Sequence, residues 1–359
     1  MKVLVVDDSI VFRTQISSSL KGIEGIEVVG TAPNGRIALQ KLDQMDVDLI
    51  TLDMEMPELN GLETLKQLRA KGFKTKVIVF SSQTIKGAEK ALEALSAGAN
   101  DIVSKPSGDE LSFENAQEMI RAALIPKVLQ FMNKSAAVSA SHRSISTPSL
   151  EKVISDSKPA TSRKKRIGSY FPQAVVIASS TGGPAALEAI FSKVKAPFNK
   201  PVFIAQHMPP VFTQILAKRL AELTGAVIQE AKNGELVEKG RVYVAPGDYH
   251  MFLKKRDDSV YIFLNQEPQR NSVRPAADHL FESAASVYGH DLLGIVLTGM
   301  GEDGAAGAKV LREAGGAVLI QDRESCVVFG MPGAVFNNDD FDEMGNLEMI
   351  GETLRKVIL

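Results

Sequence analysis

Short apolar runs, each followed by an amphipathic helical pattern, recur through the first 125 or so residues of the chain. The runs end at Val6, Val29, Leu52, Phe80 and Val103. Such runs alternating with helices are typical of a parallel sheet that helices cover on both faces. The alternation resumes after Tyr170 and is expected to end with a strand at residues 317–320. The sequence therefore predicts two α/β units: a five-stranded, doubly wound parallel sheet, and then a mostly parallel, doubly wound sheet with a β-hairpin.

The composition changes between the two units. Nine serines lie between Lys134 and Arg166, together with two prolines and little apolar periodicity. This composition is typical of a flexible linker. We therefore divide the 359 residues into a first domain at 1–125, a serine-rich linker at 126–169 and a second domain at 170–359.

Charge and cysteine content narrow the class of protein. The formal net charge is −2, and the basic run at 163–166 lies in the linker with no helix-turn-helix pattern near it. We therefore expect no nucleic-acid partner. The single cysteine, Cys326, excludes an internal disulfide, and no apolar run is long enough to cross a bilayer. The expectation is a soluble cytoplasmic protein without direct membrane insertion.

Charged and hydroxyl side chains follow the predicted strands of the first unit. Asp7 and Asp8 follow the first strand, Asp53 ends the third, Ser81 the fourth and Lys105 the fifth. In a parallel sheet these positions share one edge, where the active crevice lies. Three carboxylates at one edge repel one another and need a cation, and all-oxygen ligation suits Mg²⁺. A lysine opposite them can pair with a phosphoryl group, and a hydroxyl can follow the position of that group.

This arrangement resembles the receiver domain of bacterial response regulators, across residues 1 to about 125. The resemblance implies a flavodoxin-like fold in which Asp53 accepts the phosphoryl group and Asp7 and Asp8 help it to hold Mg²⁺. It also implies that Ser81 is the switch hydroxyl and that Lys105 contacts the phosphate. One position departs from the pattern. Ile102 stands where many receivers have an aromatic residue, so a rotating aromatic ring is not expected to carry the signal here.

The second unit begins with an apolar run at 174–177, a turn containing Ser180, Gly182 and Gly183, and a helical pattern at 185–194. Such a turn places a hydroxyl at the carboxyl end of a strand, beside the amino end of a helix. Backbone N–H groups there can stabilise a developing negative charge. Taken alone, such a serine is more often the N-cap of an ordinary turn.

Two more chemically capable residues follow predicted strands of this unit. His207 follows the strand at 202–205, and Asp303 follows the strand at 292–297. A histidine can take the proton of a serine, and a buried carboxylate can orient that histidine. Each residue alone could be structural, as a core histidine or a helix cap. The order Ser, His, Asp and the absence of Gly-x-Ser-x-Gly exclude the usual α/β-hydrolase pattern.

A competing motif overlaps the aspartate. Residues 299–304 read Gly-Met-Gly-Glu-Asp-Gly, and Asp322 lies about 20 residues further on, as in a dinucleotide-binding site. Two acidic residues at the helix start would repel a pyrophosphate. The motif also lies late in the unit, whereas the dinucleotide fingerprint usually opens it.

Five segments occur in a fixed order behind the receiver-like unit: residues 180–183, 206–209, 244–247, 297–304 and 328–332. In this combination nearly the whole chain resembles the chemotaxis response-regulator protein-glutamate methylesterases. The resemblance implies that Ser180, His207 and Asp303 form a catalytic triad.

The same resemblance implies the substrate and the partners. The enzyme would hydrolyse methyl esters of glutamate side chains in chemoreceptors, deamidate receptor glutamines and be phosphorylated by the chemotaxis histidine kinase. It would be a monomer, and Mg²⁺ would serve the receiver only. Candidate oxyanion or substrate-site residues are Thr181, Gly182 and Met300. A dinucleotide-dependent enzyme, a module without catalysis and a transcription regulator are the alternatives.

Overall fold

The computed structural model describes residues 1–106, 113–139, 167 and 170–359. These residues form two parallel sheets and one antiparallel hairpin. Most of the predicted linker, including its basic run at 163–166, lies outside the described residues. Within the described part of the chain, every helix is too short or too polar to cross a membrane.

The first unit has five parallel strands in the order β2-β1-β3-β4-β5, which confirms the doubly wound, flavodoxin-like prediction. Its elements are β1 (Lys2–Val6), α1 (Ile10–Leu20), β2 (Glu27–Ala32), α2 (Gly35–Leu42), β3 (Leu49–Asp53), α3 (Gly61–Ala70), β4 (Lys76–Ser81), α4 (Ile85–Ser96), β5 (Asp101–Ser104) and α5 (Phe113–Ser139).

Short polar side chains determine where the helices of this unit begin. Ser9, Asn34 and Thr84 each accept a hydrogen bond from the backbone N–H three residues further along. Asn60 and Glu63 form a reciprocal capping box at the start of α3. These caps start each helix a few residues after its strand ends. The strand-end side chains are therefore left together at one edge of the sheet.

The last helix of the unit differs from the prediction. The predicted domain boundary at residue 125 falls inside α5, so residues 126–139 of the predicted linker are helical. Pro126 removes one helical hydrogen bond. The helix continues because Ile120, Leu124, Val128 and Phe131 recur on one face and are buried in a common core with residues of α1.

The second unit has a seven-stranded parallel sheet in the order β14-β13-β12-β6-β7-β9-β8 and a separate hairpin, β10-β11. Its elements are β6 (Ala174–Ser179), α6 (Gly183–Phe191), β7 (Val202–Gln206), α7 (Phe212–Thr224), β8 (Ile228–Glu230), β9 (Val242–Val244), β10 (His250–Arg256), β11 (Ser259–Asn265), α8 (Ala277–Tyr288), β12 (Leu292–Val296), α9 (Ala305–Glu313), β13 (Ala317–Gln321), α10 (Met331–Asn337), β14 (Glu343–Gly345) and α11 (Leu347–Ile358). The predicted parallel sheet and hairpin are both present.

The expectation that the alternation ends at residues 317–320 is wrong. Two helices and the edge strand β14 follow. The strand β14 has only three residues, of which Glu343 is half-buried, Met344 exposed and Gly345 buried, so it lacks an apolar signal. In α11, by contrast, Asn346 caps the helix and Ile350, Leu354 and Ile358 are buried at helical spacing. That signal was available in the sequence.

The two units contact each other directly. Apolar residues of α4 share a core with residues of α6 and α7, and Val328 packs with residues of α5. Ser96 in α4 forms hydrogen bonds to Glu188 and Arg219 of the second unit, at 2.6 and 2.9 Å. The α4 and α5 side of the receiver-like unit therefore faces the second unit.

Candidate active site

The three predicted catalytic residues follow three neighbouring strands of the second sheet. Ser180 follows β6, His207 follows β7, and Asp303 lies between β12 and α9. His207 Nε2 is 2.7 Å from Asp303 Oδ2. Ser180 and His207 line the same cavity, although no hydrogen bond joins them among the described residues. Such a contact often tightens only when substrate binds. The catalytic roles of the three residues stay predictions.

Glycines allow two turns to meet at Ser180. Gly182 has a φ of 77°, and a Cβ on it would lie 2.6 Å from Val327 Cγ2. A Cβ on Gly299 would lie 2.8 Å from the Cβ of Ser180. A larger residue at Gly182 would therefore push the turn that carries Ser180 away from Val327, and one at Gly299 would push apart that turn and the turn that follows β12.

The hydroxyls of Ser179 and Ser180 have different environments. Ser179 is fully buried, and its Oγ donates to Gln206 Oε1 at 2.6 Å. The amide Nε2 of Gln206 donates to the Ser180 carbonyl oxygen at 3.0 Å. Ser180 is only half-buried and faces the cavity. Ser180 is therefore the accessible hydroxyl, and Gln206 ties its turn to the strand before His207.

The carboxylate of Asp303 is buried and surrounded by donors. Besides His207, it accepts hydrogen bonds from the backbone N–H groups of Ala277 and Asp278 and from Asn271 Nδ2. Burial favours a higher pKa for Asp303, but the hydrogen bond and charge of His207, together with the N–H groups of Ala277 and Asp278, outweigh it and hold the pKa below its usual value. An ionised carboxylate of this kind can orient a histidine and stabilise its protonated form.

The sequence did not single out Asn271 or Asp278. Asp278 lies in the first turn of α8, where an acidic residue is expected only to favour the helix start. Asn271 lies in a polar segment after the hairpin, far in sequence from Asp303. No local sequence pattern predicts that Asn271 and Asp278 contact Asp303.

The start of α9, which follows the glycine-rich segment at 299–304, does not have the free amides that a pyrophosphate needs. The backbone N–H groups of Gly304 and Gly307, at the start of α9, donate to Asp278 Oδ1 at 2.9 and 2.8 Å. A pyrophosphate would have to displace this buried carboxylate from the helix N-terminus. The geometry therefore favours the role of Asp303 as the partner of His207.

The three candidate oxyanion or substrate-site residues lie around Ser180. Thr181 and Gly182 follow it in the same turn, and Met300 follows Gly299, which approaches it closely. Among the described residues, the backbone N–H groups of Thr181, Gly182 and Met300 donate no hydrogen bond. The Met300 side chain is 39% exposed, so this part of the site faces outward.

The receiver-like unit reaches the residue next to Ser180. Thr181 Oγ1 donates to Asp101 Oδ2 of β5 in a short, buried hydrogen bond. Asp101 Oδ1 is 2.7 Å from Lys127 Nζ of α5. The cavity that Ser180 and His207 line is bounded on its other side by β5 and α5 residues, among them Ser104 and Met119.

The predicted receiver site is also assembled at one edge. Lys105 Nζ is 2.8 Å from Asp53 Oδ1 and 3.0 Å from Asp7 Oδ2. Burial and the charge of Asp7 raise the pKa of Asp53 to about 6, against the opposing effect of Lys105. Burial works against the charge of Lys105, but Asp53 and Asp7 outweigh it and raise its pKa. Ser81 Oγ donates to the Gly87 carbonyl oxygen at 2.8 Å.

The three carboxylates of this edge fit a divalent metal ion. Oxygens of Asp7, Asp8 and Asp53 lie within 4.8 Å of one another. Asp53 Oδ2 is buried and has no hydrogen-bond partner among the described residues. A hard cation such as Mg²⁺ prefers such oxygen ligands and would compensate their charges. Ile102, at the position of the missing aromatic, is half-buried and lines the cavity between the units.

Two family models match this chain, one in each unit. Residues 175–354 match the family model "CheB methylesterase", and residues 3–135 match "Response regulator receiver domain". A Trichodesmium erythraeum protein named protein-glutamate methylesterase/protein-glutamine glutaminase is 42% identical over 353 residues, which cover 98% of this chain and 97% of that protein.

A Thermotoga maritima protein of the same name is 38% identical over 359 residues, which cover 100% of this chain and 98% of that protein. The crystal structure of the Thermotoga maritima CheB methylesterase catalytic domain is similar with a TM-score of 0.50 and 42% identity. The aligned part covers 52% of this chain and 98% of the crystallised chain.

Proposed function

The chain belongs to the CheB methylesterase family, and on that premise we propose that it is a protein-glutamate methylesterase and protein-glutamine glutaminase. Its substrates are the methylated glutamates and the glutamines of chemoreceptors, in sensory adaptation. The enzyme works in the cytoplasm as a monomer, and a histidine kinase phosphorylates its receiver domain.

Ester hydrolysis begins with a proton transfer within the triad. Because His207 Nε2 is paired with Asp303, Nδ1 is the ring nitrogen that takes the proton of Ser180 as its Oγ attacks the ester carbonyl. Asp303 holds the ring in place and stabilises the imidazolium that forms. His207 then gives the proton to the leaving methoxide, so that methanol leaves and an acyl-enzyme remains.

Backbone N–H groups stabilise the negative oxygen of the tetrahedral intermediate. Those of Thr181, Gly182 and Met300 are the candidates, since they surround Ser180 and donate no hydrogen bond within the described chain. Water activated by His207 then hydrolyses the acyl-enzyme and releases the glutamate. A glutamine amide follows the same steps, with ammonia as the leaving group.

Phosphorylation takes place at the edge of the receiver sheet. Asp53 accepts the phosphoryl group, while Asp7, Asp8 and Asp53 would hold Mg²⁺, which neutralises charge on the group in transfer. Lys105 pairs with the phosphoryl oxygens, and the Ser81 hydroxyl moves toward them. A phosphoryl group adds roughly two negative charges, so the hydrogen bonds of these two side chains must rearrange.

Phosphorylation controls the second unit through the contact between the units. Asp101 of β5 holds Thr181, and β5 and α5 border the cavity that contains Ser180. A receptor helix, about 10–12 Å wide with its side chains, cannot approach Ser180 past this cover. Rearrangement near Lys105, four residues from Asp101, weakens the contact and opens the site.

The observation that carries the proposal is the His207–Asp303 pair, 2.7 Å apart, at the sheet edge where Ser180 follows β6. The test is methanol release from methylated chemoreceptors in membranes, with and without acetyl phosphate and Mg²⁺. We expect release that the phosphodonor increases, and no increase in Asp53→Asn. Absence of methanol release under both conditions would overturn the proposal.

A further inference from the structure

Asp303 and Asp278 cap helices in a reciprocal way. Asp303 caps α8, which contains Asp278, and Asp278 caps α9, which follows Asp303. Asp303 precedes α9, but it accepts hydrogen bonds from the N–H groups of Ala277 and Asp278 at the start of α8, at 2.6 and 3.1 Å. Asp278, in α8, accepts from Gly304 and Gly307 at the start of α9, at 2.9 and 2.8 Å. The N-termini of both helices therefore stabilise the negative charges of this pair.

The side-chain amide of Asn271 joins the two carboxylates. Its Nδ2 donates to Asp278 Oδ2 at 2.9 Å and to Asp303 Oδ1 at 3.0 Å. An amide nitrogen carries two hydrogens, one for each carboxylate. Arg270 Nε lies 3.4 Å from Asp278 Oδ2 and adds a positive charge on the outer side. An aspartate or an apolar side chain at position 271 would donate to neither carboxylate.

The two carboxylate oxygens of Asp303 accept hydrogen bonds from different donors. Asn271 and the N–H of Asp278 occupy Oδ1, while Oδ2 accepts from His207 and from the N–H of Ala277. A carboxylate held on both oxygens cannot rotate about its Cβ–Cγ bond without losing donors. Oδ2 is therefore kept facing His207, and the histidine keeps one orientation through each proton transfer.

We propose that Asn271 and Asp278 are positioning residues, which act on ester hydrolysis by fixing the carboxylate of Asp303 against His207. This role rests on the proposed function, since it is defined by the reaction of the triad. Asn271 is exposed at the surface, with only its amide reaching the buried acids. Its substitution should therefore disturb the core little and the reaction strongly.

The first test is the kinetics of Asn271→Gly in the full chain, phosphorylated with acetyl phosphate. We expect kcat to fall about 10- to 100-fold, by analogy with the loss of a hydrogen-bond partner of a metal ligand, with KM changed less than about twofold. The φ of Asn271 is 54°, which glycine adopts without strain and alanine does not. Equal losses in Asn271→Gly and Asn271→Ala assign the effect to the amide. A loss in Asn271→Ala alone would overturn the proposal.

Asp278→Asn tests the link from the other side. The amide oxygen can still cap α9, but the amide nitrogen would face Asn271 Nδ2, donor against donor. We expect the loss in kcat to match that of Asn271→Gly. The matched control is Asn346→Ala, which removes the N-cap of α11, a residue with no hydrogen bond to the triad. It should lower the melting temperature without changing kcat.

A double-substitution cycle with Asp303→Ala separates positioning from general damage. Once Asp303 is absent, Asn271→Gly should reduce kcat by less than about twofold more, because its effect passes through Asp303. Independent, multiplying losses would overturn the proposal.

The rate at which a fluorophosphonate labels Ser180 gives a second readout that needs no receptor. Labelling should slow in Asn271→Gly by the same factor as kcat. A wild-type protein that is labelled but releases no methanol would overturn the methylesterase proposal alone, and the labelling comparison would still decide the role of Asn271. An unchanged labelling rate would overturn that role.

Discussion

Each of the two parallel sheets has a buried aspartate at the edge where its strands end, and the two aspartates have opposite surroundings. Asp53 has Lys105 beside one oxygen, while its Oδ2 has no hydrogen-bond partner among the described residues. Asp303 accepts hydrogen bonds from four groups. Burial and the charge of Asp7 raise the pKa of Asp53 to about 6, whereas His207 holds the pKa of Asp303 below its usual value.

The difference shows that the fold supplies the edge and the surrounding donors decide the chemistry. A carboxylate with an unused lone pair can bind a metal ion or attack a phosphoryl group. A carboxylate whose oxygens are all occupied can only hold its neighbours in place. Four predictions test this comparison, in order of decreasing effect.

The largest effect is expected at the catalytic edge itself. Ser180→Ala and His207→Ala should each reduce methyl-ester hydrolysis by about three orders of magnitude or more, and combining them should add little, because the residues act as one unit. Asp303→Asn should cost somewhat less. The measurement is methanol release, with melting temperature as the control for folding. Undiminished hydrolysis by Ser180→Ala would contradict the assignment of Ser180 to the triad. If the remaining activity depended on Ser179, Ser179 would be the nucleophile instead.

The second prediction is that phosphorylation depends on Asp53 and not on Asp303. Asp53→Asn should abolish the Mg²⁺-dependent incorporation of labelled phosphate from acetyl phosphate, and Asp8→Ala should slow it, since the first lacks the acceptor and the second a metal ligand. Asp303→Asn should leave incorporation unchanged. Phosphate still bound to Asp53→Asn would contradict the assignment of the acceptor.

The third prediction concerns the contact between the two units at Asp101 and Thr181. Asp101→Ala removes the acceptor of Thr181, so the unphosphorylated full chain should hydrolyse esters about 5- to 150-fold faster, the range of a coupling of 1–3 kcal/mol. Removal of residues 1–169 should give at least the same increase. Phosphorylation should then add little in either variant.

Lys218→Ala is the matched control for that experiment. Lys218 also bridges the two units, through Glu89 at 3.3 Å, but both side chains are about half exposed. Exposed ion pairs contribute little, so the activity should change less than about twofold. If Asp101→Ala were no faster than Lys218→Ala, inhibition by cover would be excluded and the receiver would act by positive activation.

The smallest expected effect is on stability, and it has opposite signs at the two aspartates. Asp53 has a pKa of about 6 in the fold, above its unfolded value of 3.8, so its contribution to stability falls as pH rises from about 4 to 6. Without Mg²⁺, Asp53→Asn should therefore stabilise the receiver at pH 7, by at most about 3 kcal/mol. The gain should vanish near pH 4.

The pKa of Asp303 lies below its unfolded value, so its stabilising effect is present at neutral pH and is lost as pH falls through its folded pKa. Asp303→Asn should accordingly lower stability at pH 7. Thermal unfolding of wild type and both variants in EDTA, at pH 4 and pH 7, checks both signs. A destabilised Asp53→Asn at pH 7 would contradict the comparison.

Much of the fold could be predicted because its signals are local. The apolar runs that end at Val6 and Phe80 lie in β1 and β4, and the caps Ser9 and Asn60 begin α1 and α3. Where the local signal misled, packing had outweighed it. The predicted boundary at residue 125 falls inside α5, whose buried face continues past Pro126 to Phe131.

The sequence by itself determined the two parallel sheets, the residues at their edges and the pairing of a receiver domain with a CheB methylesterase unit. Strand-end positions follow from chain order, since parallel strands all end at one edge. Only the tertiary structure decided the contacts of Asp303 with Asn271 and of Thr181 with Asp101. These pairs are 32 and 80 residues apart in the chain, and no periodicity links such positions. They meet because helix packing and the contact between the two units bring buried donors to acceptors that would otherwise lose their hydrogen bonds.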